Sequence, residues 1–229
     1  MTKIYLQKAI AEAGICSRRK AEELIRRDMV TVNCKTGELG QKVNILEDSI
    51  VIGGKRLQAE KKVYYLVNKP IGYSCTVSDG HAKKKVIDLV PERPKVWPVG
   101  RLDKNSRGLI ILTNDGELTN RLTHPSFEHE KEYEVEVNEA IRADFLKNMA
   151  AGIKLEEGTA KAYRIKKISK QKFSMVLHQG WKRQIRRMLE KCGYNAVDLK
   201  RVRIGNIWLE GLEYGEYKEI SKSQITNYK

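Results

Sequence analysis

The chain has 229 residues, with 44 Lys+Arg against 29 Asp+Glu and a formal net charge of +15. It is long enough to bury a core without a metal or disulfide staple, and its charge favours a polyanionic partner, nucleic acid ahead of an anionic membrane surface. No apolar run approaches the roughly 20 residues of a spanning helix, and Lys3, Lys8 and Glu12 interrupt any signal-peptide pattern, so a cytoplasmic protein with no membrane partner is expected.

In chain order, Leu6, Ala9, Ile10 and Ala13 recur at helical spacing, with Gly14 placed to end the helix. Ser17 is a fitting N-cap for a second helix, with Ala21, Leu24 and Ile25 as its apolar stripe and Arg18, Arg19, Lys20, Arg26 and Arg27 on its other faces. Met29 to Val32 and Ser49 to Ile52 read as strands, the latter closed by Gly53-Gly54. The polar stretch Ala59 to Lys62 is the best linker, which predicts a small helix-helix-strand module over residues 1–60 and a larger domain over 61–229. In the larger domain, Val63 to Val67 and Leu109 to Leu112 read as buried strands. Tyr133, Val135 and Val137 alternate with Glu132, Glu134 and Glu136 as on a half-exposed one. The mixture of strands and helices implies an α+β fold.

Cys16, Cys34, Cys75 and Cys192 form no C-x-x-C pair, and His81, His124, His129 and His178 fall at no ligand or triad spacing. Neither a metal site nor a disulfide framework is indicated.

The stretch most suited to chemistry is Gly100-Arg101-Leu102-Asp103-Lys104-Asn105-Ser106-Arg107-Gly108, a polar loop between Trp97-Pro98-Val99 and the apolar run that follows it. On spacing alone, a turn in which Asp103 and Ser106 cap backbone amides is the commoner arrangement. Around residue 185, Ile185, Met188, Leu189 and Cys192 make an apolar helical stripe beside a charged one of Arg183, Arg186, Arg187 and Glu190. Residues 181–203 hold Lys182, Arg183, Arg186, Arg187, Lys191, Lys200, Arg201 and Arg203 against only Glu190 and Asp198, a basic concentration suited to phosphate.

Gly100 to Asp103, Ser106 and the run Gly108 to Gly116 closely resemble the signature of RsuA-like pseudouridine synthases. Lys131-Glu132-Tyr133 is similar to that family's lysine-x-tyrosine motif, and Arg183 to Leu189 to its third motif, with a further similar segment from Leu199 to Gly205. Ala13 to Glu22 and Val30 to Asn33 resemble the S-four-like RNA-binding module that heads many such synthases. Asp28 and Cys34 stand where that module more usually has glycine, and Ser106 where the aspartate loop usually has threonine.

The resemblance implies an RNA-binding module joined to a catalytic domain with a mostly antiparallel central sheet and a cleft. It implies isomerisation of uridine to pseudouridine without a cofactor or metal. Asp103 is then the essential carboxylate, Tyr133 the ring that stacks on the extruded base, and Arg186 the cation that pairs with Asp103. Arg101, Arg183 and Arg187 are expected at the substrate, and Arg18 and Arg19 on a second RNA-contacting surface. The expected partner is ribosomal RNA or a ribosome assembly intermediate, met by a monomer. The segments Arg101 to Ser106 and Glu128 to Tyr133 look closer to members acting on large-subunit RNA than on small-subunit RNA. The competing class is a non-catalytic RNA-binding or ribosome-assembly factor on the same scaffold, which a complete set of Asp103, Tyr133 and Arg186 disfavours.

Overall fold

The computed structural model describes residues 3–76, 83–127 and 129–226, so His81 and Glu128 lie outside the described residues. The chain divides into two compact units: residues 1–63 with 93–95 and 114–116, and the remainder.

In the first unit, helices Leu6–Glu12 and Arg18–Arg26 lie on a four-stranded sheet in the order Lys35–Thr36, Val30–Val32, Ile50–Ile52, Lys55–Arg56. Leu6, Ala9, Ile10, Ala21, Ile25, Val30, Val32 and Ile50 are its buried core. The helical spacing read from the sequence is thus the buried stripe, whereas Met29 stays outside the strand, 48% exposed. Ser17 Oγ accepts the Lys20 amide at 3.3 Å and caps the second helix, whose Arg18, Arg19 and Arg26 are exposed. Asp28 and Cys34 adopt φ of +55° and +64°, the left-handed turns for which glycine is the usual residue. The polar stretch before residue 63 is pinned. Asn114 Nδ2 donates to the Lys61 carbonyl at 2.9 Å, and Asn114 Oδ1 accepts the Val63 amide at 2.9 Å, so this apparent linker has a fixed path.

The second unit is α+β, built on a sheet in the order Arg164–Lys167, Lys172–Leu177, Lys131–Val137, Ala196–Ile204, Arg107–Thr113, Tyr64–Lys69, Tyr217–Glu219. Ile207–Trp208 joins it beside Ala196–Ile204, and Trp97–Pro98 beside Arg107–Thr113. The sheet is antiparallel except where Lys200 pairs with Arg107 and Arg201 with Gly108 in a short parallel ladder. One core packs Tyr64, Leu66, Leu109 and Ile111 against Leu118, Leu122 and Ile225. A second aromatic contact joins Phe145 of helix Phe145–Ala151 to Phe173 and Tyr194, with ring centroids 5.3 and 4.7 Å apart.

Register places Met175, Tyr133, Arg201, Gly108 and Lys69 in one row across five strands. Paired residues share a sheet face, so this row sets what lies beside Tyr133. Gly108 is required there. Its φ is +104°, and a Cβ would lie 2.3 Å from the Arg201 carbonyl oxygen. Gly108→Ala is expected to lower stability by about 2–4 kcal/mol in urea unfolding; a loss within about 0.5 kcal/mol would contradict the close crossing.

Candidate active site

A cleft of about 280 Å³ opens in the second unit, lined by Arg101, Leu102, Asp103, Ser106, Tyr133, Leu177, the segment 179–184, Ile185 and Leu199. Asp103 is the one carboxylate among these residues. The loop that carries it is fixed through its backbone. Ser106 N–H donates to the Asp103 carbonyl at 3.0 Å, and Gly72 N–H donates to the Lys104 carbonyl at 2.8 Å. Leu102 N–H donates to Cys75 Sγ at 3.3 Å. Neither the Asp103 carboxylate nor Ser106 Oγ caps an amide of the described residues, and Ser106 Oγ, although buried, has no partner among them. The turn therefore stands without the two side chains that its spacing offered as caps, and the residues of both line the cleft.

Arg186 departs from the pairing expected of it. Among the described residues no ion pair joins it to Asp103. Its Nη2 donates to the Asn105 carbonyl at 2.6 Å and its Nη1 to the Ala196 carbonyl at 3.2 Å. These two bonds bridge the aspartate loop to the start of strand Ala196–Ile204, so Arg186 holds the backbone that carries Asp103. Burial and the nearby Arg183 lower the Arg186 pKa, while Asp103 and Asp198 pull it the other way.

Tyr133 projects from strand Lys131–Val137 into the cleft and is otherwise buried. Arg101 and Arg183 are exposed at the cleft, where Arg183 takes the left-handed conformation (φ 50°, ψ 32°) immediately before helix Gln184–Lys191. Arg187 is engaged elsewhere, with both terminal nitrogens on Glu157 at 2.9 and 2.8 Å. Arg18 and Arg19 belong to the first unit. The basic concentration at 181–203 is also smaller on the surface than in the sequence. Arg201 is buried, and Arg203 is buried and tied to Glu132 and Glu130 at 2.9 and 2.8 Å.

Two lysines support the site, one buried and one half-buried. Lys69, fully buried, donates to the carbonyls of Pro70 and Tyr73, both at 2.9 Å, and so shapes the turn whose Gly72 holds the aspartate loop. Lys131 donates to the carbonyls of His129 and His178 at 3.0 and 3.3 Å, joining the start of the Tyr133 strand to the segment that lines the cleft. Desolvation pulls each ammonium down to about 8. Lys131 could be found through its motif. Lys69 carries no signal beyond a strand-ending Asn-Lys-Pro, and a buried lysine cannot be told from an exposed one by composition.

Residues 63–191, more than half of the chain, match the family model described as RNA pseudouridylate synthase. The chain belongs to this family and is a pseudouridine synthase, an enzyme that isomerises uridine within RNA. It is similar to the dual-specificity RNA pseudouridine synthase RluF of Salmonella typhi, 37% identical over 227 residues that cover 98% of this chain and 78% of that one. It is also similar to the ribosomal large subunit pseudouridine synthase B of Bacillus subtilis (strain 168), 39% identical over 228 residues covering 96% and 93%. A crystal structure of a pseudouridylate synthase superposes with a TM-score of 0.70 at 29% identity, over 97% of this chain and 98% of the other.

Below pH 8 both lysines hold their proton folded and unfolded, and burial is a constant penalty. Between about 8 and their ordinary value near 10.5 the unfolded chain keeps protons that the folded one sheds, so this contribution to stability rises with pH. Urea unfolding of the wild type and Lys69→Met at pH 7.5 and 9.5 is expected to show wild type gaining relative to the variant at the higher pH. A difference that does not move with pH would contradict the assigned burial.

Proposed function

We propose that this enzyme isomerises particular uridines of ribosomal RNA, in large-subunit (23S) rather than small-subunit RNA, acting as a monomer with Asp103 as the essential carboxylate. The observation that carries the reading is that the Asp103 carboxylate, bonded to no described residue, shares one cleft with Tyr133 in a chain of this family. The names of the relatives, one a large-subunit synthase, support the choice of RNA.

The reaction breaks the bond from ribose C1′ to N1 of uracil, turns the base and joins C1′ to C5. C5 loses a proton and N1 gains one, so composition and oxidation state are unchanged. The protein must take the base out of its stack, retain it once detached and supply a group at the ribose and base. Extrusion costs a few kcal/mol, less for an unpaired nucleotide. Tyr133 offers a ring against which the extruded uracil stacks, Ser106 Oγ a hydroxyl with no partner among the described residues, and Asp103 the carboxylate at the reacting atoms. Arg101, entering the cleft beside them, fits the space a displaced nucleotide leaves. Arg186 acts through the loop backbone and is a positioning residue. Exposed cations, including Arg183 and the first unit's Arg18 and Arg19, meet phosphate and supply affinity with little base readout. The first unit is on this reading an RNA-binding module that helps choose the target.

With total ribosomal RNA as substrate, Asp103→Asn is expected to lower turnover on the order of 10⁴-fold while changing RNA affinity by less than about threefold, because affinity comes from the basic surfaces. Rates by chemical detection of pseudouridine and affinity by filter binding check both parts. Unimpaired turnover by this variant would remove Asp103 from the reaction.

A further inference from the structure

The segment between strand Lys172–Leu177 and helix Gln184–Lys191 forms one wall of the cleft, and at its centre stands Trp181, half-buried. Its backbone is held on both sides by one residue. The Trp181 N–H donates to Gln184 Oε1 at 3.0 Å, and the Trp181 carbonyl accepts the Gln184 N–H at 3.1 Å. Gln184, itself buried, donates from Nε2 to Gln179 Oε1 at 3.3 Å. The indole rests on Gly158, where a Cβ would lie 3.5 Å from Cη2. Gly158 belongs to the hairpin Ile153–Leu155/Gly158–Ala160, whose Glu157 is clamped by Arg187 of the helix. Both supports of the ring are therefore fixed, and the ring is a preorganised surface on the cleft.

Packing against Gly158 would explain a large apolar side chain here, but not why an aromatic lines a cleft whose rim carries the exposed cations Arg101, Lys182 and Arg183. Aromatic surface interleaved with cations is how proteins hold unstacked nucleotides, the rings taking bases and the cations taking phosphates. Extruding one nucleotide also unstacks its neighbours and leaves a base face without a partner. With the target uracil on Tyr133, Trp181 offers a second ring in the same cleft lining.

We propose that Trp181 is a specificity-determining residue that stacks on a base flanking the target uridine while that uridine occupies the space beside Asp103 and Tyr133. This rests on the placement of the target uridine in this cleft. A base on each aromatic places two nucleotides of the strand at once, which selects targets in loops whose flanking nucleotide is free to unstack.

The test uses the full-length protein and a synthetic RNA stem-loop containing a uridine that the wild type converts, with two further versions bearing an abasic nucleotide immediately before or after it. On intact RNA, Trp181→Ala is expected to lower kcat/KM about tenfold or more, chiefly through KM, and Trp181→Phe, which keeps a ring, to recover most of that loss. On one of the two abasic RNAs, wild type and Trp181→Ala should become nearly equal. An equal loss on all three RNAs would overturn the proposal and leave Trp181 as packing for the Gly158 hairpin; no loss on intact RNA would overturn it too. Asp103→Asn in the same assay separates the two readings: activity in that variant refutes the site, whereas inactivity with Trp181 showing no dependence on flanking bases refutes only the stacking.

Discussion

The second unit depends on the place where Gly108 and Arg201 cross. Five strands, from Arg164–Lys167 to Ala196–Ile204 with Ile207–Trp208, lie on one side of it among the described residues, and four, from Arg107–Thr113 to Tyr217–Glu219 with Trp97–Pro98, on the other. Two ladder pairs of the described residues join the two sets in parallel, and the missing side chain at 108 lets the backbones approach. Arg107 adds a bidentate bond to Asp198 at 2.7 and 2.6 Å beside the ladder. Asp103 arrives on the loop that enters strand Arg107–Thr113, whereas Tyr133 and Arg186 come from the other side. The crossing therefore sets the distance between the carboxylate and the ring, and Arg186, bonded to Asn105 and Ala196, fastens the loop across it.

Charge beneath the cleft follows from the same geometry. Lys69, Lys131 and Arg201 are held by backbone carbonyls, Arg201 through Nε to Leu109 at 2.8 Å, with no carboxylate among those partners. Buried or half-buried cations that meet neutral oxygens keep most of their field, because no counter-charge cancels it. Asp103 is felt by both Lys69 and Arg186. The surroundings are positive and in keeping with a polyanionic substrate, and they arise from residues that also shape the loops.

Much of this was legible in the sequence. The stripe Leu6, Ala9, Ile10 and the cap Ser17 announce the first two helices because local periodicity and capping act within a few residues. Tyr133, Val135 and Val137 read as one strand face for the same reason, and three motifs in order brought Asp103, Tyr133 and Arg186 forward together. What stayed hidden depends on contacts between distant residues. The bond from Arg186 goes to a carbonyl, and a carbonyl exists at every position, so no motif names its partner. Glu157, far from Arg187 in the chain, removes that arginine from the free cations, and burial removes Arg201, although each counts as +1 in composition. Gly108 looked like part of a motif, and only the parallel crossing shows why a side chain is excluded there. Trp181 heads the basic stretch 181–203, but its contact with Gly158 and its place on the cleft come through tertiary packing alone.

The most direct test of the account is a map of pseudouridines in ribosomal RNA from cells lacking this protein, restored with the intact chain or with its Asp103→Asn form. The account predicts that at least one large-subunit position is lost and that only the intact chain brings it back. If every pseudouridine persists without the protein, or if the Asp103→Asn form restores the missing one, the assignment of ribosomal RNA in the first case and of Asp103 in the second is contradicted.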